Sequence, residues 1–163
     1  MIKIRNAESK DFSEIANIYK FHVENTVATF EEDAPTGDDL LKRKESYNSM
    51  PFIVASIENK IAGFAYVRPY HVRSAYRYTV EDSIYVHEDY KGRGVGKILL
   101  EKILEASKKQ DIKQVIARIP IWEGGEVSIS LHKKFGFEEK GCLKEVGYKS
   151  GKFIDTVLMQ KTL

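Results

Sequence analysis

The chain has 163 residues, with 26 Lys and Arg against 24 Asp and Glu, and a formal net charge of +2. This length suits one compact domain over residues 1–163. Hydrophobic residues at 42% supply a core, which excludes a disordered chain, and no apolar run approaches the roughly 18 residues needed to cross a bilayer. The small net charge argues against a general nucleic-acid binder. We therefore expect neither a nucleic-acid nor a membrane partner.

The N-terminal residues 1–5 lack the apolar stretch of a secretory signal, so we expect a cytoplasmic protein. The single Cys142 cannot form an internal disulfide, which fits a reducing compartment, and we expect it to be a buried, inert apolar residue. His22, His71 and His87 show no ligand spacing, which predicts no catalytic metal.

Apolar spacing predicts alternating strands and helices in the first half of the chain. The predicted elements are a strand at 2–7, a helix capped by Ser9, an irregular loop at 25–37, a short helix opened by Asp38-Asp39, and strands at 52–57 and 61–67 around the turn 58–60. The two strands around the short turn should pair antiparallel.

The second half begins with a polar and aromatic crossover at 69–78. The elements predicted after it are a strand at 79–86, a glycine-rich loop at 91–96 that enters an amphipathic helix, a strand at 115–119, a short helix at 127–135 and strands at 137–146 and 153–159. Together these predict a mixed α/β domain of about seven strands and four helices.

Only one face of the strand at 79–86 carries side chains that could take part in a reaction. Period-two alternation places Val80, Ile84 and Val86 on one face, and the other face carries Thr79, Glu81, Ser83 and Tyr85. The first set suits a core, whereas the second carries a carboxylate.

The loop Lys91-Gly92-Arg93-Gly94-Val95-Gly96-Lys97 lies between a strand and a helix, where free backbone N–H groups and the positive helix end favour an anion. It is not a P-loop, because Lys91 stands at the first glycine position and Ile98 follows Lys97. It is not a dinucleotide fingerprint either, because the third glycine comes one residue early and the strand at 115–119 has no acid. A phosphorylated ligand without metal or nicotinamide remains the favoured interpretation over a plain structural turn.

Several segments resemble the GNAT superfamily of N-acetyltransferases. These are Glu81-Asp82-Ser83-Ile84-Tyr85-Val86, then Gly92-Arg93-Gly94-Val95-Gly96, then Ser128-Ile129-Ser130-Leu131-His132 with Phe135-Gly136-Phe137. Residues 25–31, 75–81 and 146–152 are similar to the branch that acetylates phosphinothricin and methionine sulfone. The resemblance spans nearly the whole chain.

The resemblance implies a GNAT-like fold, with a splayed, mostly antiparallel central sheet, and acetyl-CoA as the donor. The donor-binding residues that it implies are Ile84, Tyr85, Val86, Gly92, Arg93, Gly94, Val95, Gly96, Lys97, Ser128 and His132. The backbone at 84–86 would bind the pantetheine arm, which requires ladder groups left free by the splay. Gly124-Gly125 stands where the family has an Asn, so an amide contact to the pantetheine is missing or replaced.

An acceptor amine is an ammonium at pH 7 and must lose a proton before it attacks the thioester, so a base is required. The resemblance gives this role to Glu81, which we expect to lie partly buried among Tyr76, Tyr78 and Tyr85. Direct attack needs no acyl-enzyme, and the backbone N–H groups near Val86 could hold the charge on the carbonyl oxygen.

The residues that match the family's acceptor site are Phe30, Arg73, Ser74, Ala75 and Tyr76. Arg73 suits an amino-acid carboxylate, so we expect a small acceptor such as phosphinothricin, methionine sulfone or methionine sulfoximine. A peptide N-terminus or a polyamine is the alternative acceptor, and a CoA-binding module without catalysis is the alternative function. Members of this branch are typically homodimers, which we expect here by resemblance.

Overall fold

The computed structural model describes residues 1–47 and 49–163. The strands in this part of the chain are β1 (Lys3–Asn6), β2 (Phe52–Ile57), β3 (Lys60–Pro69), β4 (Thr79–Val86), β5 (Gln114–Pro120), β6 (Glu138–Lys149) and β7 (Lys152–Thr162). The α-helices are α1 (Phe12–Asn25), α2 (Gly37–Ser46), α3 (Val95–Lys109) and α4 (Gly125–Lys134). The mixed α/β class predicted from the sequence is confirmed.

Element bounds follow the sequence most closely in the middle of the sheet. Strands β2 and β4 begin and end at the predicted residues, whereas β6 and β7 both reach further toward their shared turn. Ser150 and Gly151 have φ of 54° and 76°, so a two-residue turn suffices and Lys149 pairs with Lys152. Helix α4 begins at Gly125, two residues before the predicted start.

The prediction that Ser9 caps the first helix is wrong. Ser9 lies inside a 3-10 turn (Ser9–Asp11) that precedes α1. The carboxylate of Asp11 accepts hydrogen bonds from the Glu8 N–H (2.7 Å) and from both terminal nitrogens of Arg5 (2.6 and 2.8 Å). A longer-range ion pair therefore fixes the entry to α1 in place of a local serine cap.

The strands form one sheet, in the order β1-β2-β3-β4-β5-β7-β6 among the described residues. All neighbours are antiparallel except β4 and β5, which pair in parallel only at Thr79↔Gln114, Val80↔Val115 and Glu81↔Ile116. Beyond Glu81, β4 continues on β3 alone, while β5 continues on β7. The expected splay is confirmed, and it begins at Glu81.

Different helices cover the two faces of the sheet. On one face α3 buries Leu99, Leu100 and Ile103 completely, and each such side chain contributes about 1.5–3 kcal/mol through its removal from water. On the other face α1 packs its apolar stripe over β2, β3 and β4. Val80 belongs to the first core and Tyr85 packs on the second, so the predicted alternation of β4 is confirmed.

Candidate functional site

The predicted glycine turn leads from β4 into α3. Gly92 and Gly94 have φ of +74° and +81°, the left-handed region in which glycine is unstrained, and Gly94 is the N-cap of α3. A Cβ at either position would meet no atom within 4 Å. These glycines are therefore needed for the backbone conformation and not for space.

The start of α3 offers backbone N–H groups to an anion. Gly94 has no side chain that could cap them, and the first turn carries no acid. Arg93 and Lys97 are exposed at the same end, with the Arg93 guanidinium 5.3 Å from the centre of the Tyr90 ring. Backbone donors, the helix dipole and cationic side chains together suit a pyrophosphate.

The opened edge of β4 leaves ladder groups free of a strand partner within the described chain. His87 donates its N–H to the Ala62 carbonyl on β3 (2.9 Å). Because backbone groups alternate along a strand, those of Ile84 and Val86 point away from β3 into the opening, and those of Tyr85 point toward β3. The geometry thus favours Ile84 and Val86 over Tyr85 for a backbone contact to an extended ligand.

His22 on α1 contacts this edge, a role that the sequence did not suggest. Its Nε2 lies 3.0 Å from the Val86 carbonyl oxygen. Burial lowers the pKa of His22, so the neutral ring donates from Nε2 to that carbonyl. The Val86 N–H then remains as the group that points into the opening. His22 lies three residues after Tyr19 on the buried stripe of α1, which was the available signal.

Gly96 joins the glycine turn to β4 and α4. A Cβ at Gly96 would lie 3.7 Å from both Val86 Cγ2 and Leu131 Cδ2. The predicted pantetheine segment, the anion turn and the late helix therefore meet at one point, as the resemblance implies.

His132 on α4 is tied to β4 through Asp82. Its Nε2 lies 2.9 Å from Asp82 Oδ2 and its Nδ1 lies 2.7 Å from the Ser128 carbonyl. Burial lowers the pKa of His132, but Asp82 and the carbonyl of Ser128 outweigh it, and the pKa is raised. Both ring nitrogens are engaged and the residue is buried, so His132 anchors α4 to the strand in this arrangement. Its contact with a donor stays a prediction, as does that of Ser128.

Glu81 lies where the sheet begins to open, on the α1 side. It is 6% exposed. Its Oε1 lies 3.1 Å from Arg68 Nη2, and its Oε2 lies 2.5 Å from Arg118 Nη2. The two guanidinium groups hold the carboxylate in one position from the neighbouring strands β3 and β5.

The side chains that bind the Glu81 carboxylate differ from the tyrosines expected from the sequence. Tyr76 and Tyr78 are 44% and 43% exposed, and their rings contact Tyr70, His71 and Arg77. The arginines, and not these tyrosines, donate the side-chain hydrogen bonds that the carboxylate accepts among the described residues. Arg68 and Arg118 were missed because each belongs to a different strand, and only strand order brings them to Glu81.

Phe30 is 38% exposed and packs against strand β6. Its ring lies over Gly147 of β6, where an added Cβ would be 2.4 Å from two ring atoms. The neighbouring Thr29 carbonyl accepts from Lys149 Nζ (2.7 Å), and the Thr29 hydroxyl lies 2.8 Å from the Tyr19 hydroxyl. Lys149 is buried, and desolvation lowers its pKa. It is a second residue that the sequence did not single out.

The crossover residues predicted to line the acceptor site are exposed. Ser74, Ala75 and Tyr76 form a 3-10 turn that Arg73 precedes. Among the described residues, Arg73 enters no salt bridge. Its guanidinium is therefore free to meet an acceptor carboxylate. The structure does not join this turn directly to Glu81, and the acceptor roles of these residues stay predictions.

Gly124 and Gly125 pack tightly under Trp122. An added Cβ at Gly125 would lie 2.3 Å from the Pro120 carbonyl oxygen, and one at Gly124 would lie 2.3 Å from the Trp122 ring. An asparagine does not fit at either position in this conformation, and the loss or replacement of the family's amide contact to the pantetheine stays a prediction.

Cys142 is exposed on β6, contrary to the prediction. Strand β6 is an edge strand, and most of its residues have no covering element. Within residues 1–47 and 49–163 no group of three or more His, Cys, Asp or Glu side chains is arranged to hold a metal ion. No helix in those ranges is long and apolar enough to span a bilayer.

Comparison with known proteins places this geometry in a family. The model of the acetyltransferase (GNAT) domain matches residues 4–158. The chain is 39% identical to a phosphinothricin N-acetyltransferase of Alcaligenes faecalis, over 98% of this chain and 82% of the relative. It is 34% identical to an L-methionine sulfoximine/L-methionine sulfone acetyltransferase of Pseudomonas paraeruginosa, over 98% and 94%.

A solved structure agrees. The crystal structure of a phosphinothricin acetyltransferase from Sinorhizobium meliloti in complex with AcCoA superposes with a TM-score of 0.94 at 36% identity, over 99% of this chain and 88% of that one. The family model and these relatives agree with the glycine turn and the opened sheet. The chain belongs to the GNAT family of acetyltransferases.

Proposed function

We propose that residues 1–163 act as one N-acetyltransferase domain that transfers the acetyl group of acetyl-CoA to the primary amine of a small amino-acid-like acceptor, with Glu81 as the general base. The observation that carries the proposal is the position of Glu81, a buried carboxylate at the residue where β4 parts from β5. Names of similar enzymes support phosphinothricin, methionine sulfone or methionine sulfoximine as acceptors.

The acetyl-CoA binding site would combine the glycine turn before α3 with the free edge of β4. First-turn N–H groups at Val95, Gly96 and Lys97, with the Arg93 side chain, suit the pyrophosphate. Ile84 and Val86 would add the pantetheine arm to the free edge of β4 as a short extra strand. When bound, acetyl-CoA supplies an activated thioester carbonyl.

Glu81 would remove the ammonium proton of the acceptor, directly or through one water, as the nitrogen attacks the carbonyl carbon. The C–N bond forms and the C–S bond breaks, and the second proton lost from the nitrogen passes to the departing sulfur, so that CoA is released as the thiol. The Val86 N–H would donate to the carbonyl oxygen as negative charge develops there. No covalent acyl-enzyme is needed.

The acceptor would lie on the α1 side of β4, bounded by Phe30 and the crossover 73–76. Arg73, which enters no salt bridge among the described residues, would bind the carboxylate of the acceptor. Two large apolar side chains of β6 and β7, Tyr148 and Phe153, are 60% and 66% exposed beside the hairpin turn. A second copy of the chain would cover them, so we propose a homodimer, with sedimentation velocity as its test. The exposed Cys142 thiol favours a reducing compartment such as the cytoplasm.

The test is an acceptor screen that follows CoA thiol release with wild type and Glu81→Gln. The screen contains phosphinothricin, methionine sulfone, methionine sulfoximine, a polyamine and an alanine-starting peptide. We expect turnover with the amino-acid analogues and a fall in kcat of about 10²–10⁴-fold in Glu81→Gln, the usual contribution of a general base. Donor binding by calorimetry should persist in the variant.

Three outcomes contradict parts of this proposal. Normal turnover by Glu81→Gln removes Glu81 from the mechanism. Preference for the peptide or the polyamine supports the alternative acceptors. Binding of acetyl-CoA without thiol release across the whole panel supports a CoA-binding module.

A further inference from the structure

Two arginines hold Glu81, although one would neutralise it. Arg68 lies directly opposite Glu81 across the β3–β4 ladder, and Arg118 lies two residues beyond the β5 partner of Glu81. The three side chains therefore lie on one face of the sheet. Two cations against one carboxylate leave the cluster with a net positive charge.

Both guanidinium groups retain N–H donors that Glu81 does not use. Each gives Glu81 only one Nη2 contact, whereas a guanidinium carries five N–H donors. The side chains of Arg68 and Arg118 are 39% and 46% exposed, against 8% for that of Glu81. The spare donors thus border the open side of the cluster, and the carboxylate lies behind them.

An acceptor that reaches Glu81 must also meet these donors. Its amine would lie within hydrogen-bond reach of the carboxylate or one water away. A side group three or four bonds from that nitrogen is then about 4–6 Å off, beside the guanidinium groups. An ammonium alone would be repelled by the net positive charge, whereas an anionic side group would offset it.

We infer that Arg68 and Arg118 form a subsite for an anionic side group of the acceptor, so that the enzyme prefers acceptors with an acidic side chain over neutral analogues of similar size. The inference rests on the proposed function and assigns its substrate class. Phosphinothricin, with a phosphinate on its side chain, is the favoured kind of acceptor, and methionine sulfone, with an uncharged sulfone, is the comparison.

The experiment measures kcat/KM for phosphinothricin and for methionine sulfone with wild type, Arg118→Gln and Arg68→Gln. Removing either arginine also loosens Glu81, so both acceptors lose activity, and the informative readout is the ratio of the two values. Wild type should favour phosphinothricin. Loss of a hydrogen bond to a charged group should lower that ratio by about 10–100-fold.

Lys102→Gln is the matched control, because Lys102 is a similarly exposed cation (41%) on α3 whose loss removes the same charge at a distance. Its ratio should equal that of wild type. A ratio that stays unchanged in both arginine variants overturns the inference, since arginines that only position Glu81 or bind the shared α-carboxylate would affect both acceptors equally.

Calorimetric titration of both compounds in the presence of CoA separates this result from failure of the proposed function. If wild type turns over neither compound, the proposed function fails. The affinities still decide the subsite, because equal binding of the two compounds, or an unchanged preference in Arg118→Gln, overturns it.

Discussion

Gly147→Ala tests whether the ring of Phe30 bounds the acceptor site. The added Cβ would lie 2.4 Å from Cε2 and Cζ of that ring, whereas ordinary contact begins at 3.4 Å. The ring must therefore move by about 1 Å. The backbone beside the ring cannot shift easily, because Thr29 is hydrogen-bonded to both Lys149 and Tyr19.

The expected cost follows from this clash. Overpacking of this kind destabilises by about 1–3 kcal/mol. Because a protein of this size loses about 2–4 °C of Tm per kcal/mol, a cost of about 2 kcal/mol lowers Tm by about 4–8 °C. A displacement of about 1 Å at an acceptor wall lowers kcat/KM for the acceptor by up to about 100-fold. KM for acetyl-CoA should not change, since the glycine turn belongs to another element.

Differential scanning fluorimetry and steady-state kinetics with each substrate varied make the measurement. Gly141→Ala is the control, because Gly141 lies on the same strand and its added Cβ would meet nothing within 4 Å. A Gly147→Ala protein with wild-type Tm refutes the packing argument. A lower Tm with unchanged acceptor kinetics refutes the role of Phe30 in the acceptor site.

Two further predictions concern the donor turn and the buried histidine. Gly94→Ala forces a side chain into φ +81° at a cost of about 1–2 kcal/mol, and it should weaken acetyl-CoA binding measured by calorimetry. The control, Gly151→Ala at φ +76° in the β6–β7 turn, should lose similar stability and keep its affinity for the donor. Equal donor affinity in the two variants would contradict anion binding at the glycine turn. The raised pKa of His132 gives stability that is fully present below pH 6.5 and lost as pH rises through the folded-state pKa. The difference in Tm between wild type and His132→Gln should therefore shrink from pH 6 to pH 9. A difference that is constant or grows would contradict the charged pair of His132 with Asp82. The opposite pH dependence that His22 gives to stability is present in both proteins and cancels in this difference.

Local sequence patterns were sufficient to predict the elements that carry the proposed donor site. Period-two alternation placed Glu81 and Tyr85 on the face opposite Val80, and the glycine spacing located the turn before α3. Both features depend on neighbours within a few residues, because a strand alternates by geometry and left-handed φ values select glycine.

Local patterns could not reveal the partners of those residues. Arg118 is 37 positions from Glu81, His22 is 64 from Val86, and Lys149 is 120 from Thr29. The same limit explains Cys142, whose exposure depends on β6 lying at the edge of the sheet.

The amino-acid sequence by itself determined the element types, the face of β4 that carries Glu81, the glycine turn before α3 and the resemblance to the GNAT family. Only the tertiary structure decided that β4 and β5 part at Glu81, that two arginines flank this carboxylate, and that His22 donates a hydrogen bond to the Val86 carbonyl. The physical reason is that strand order and register are properties of the whole sheet, set by burial on both faces, whereas turn and periodicity signals are set by a few adjacent residues.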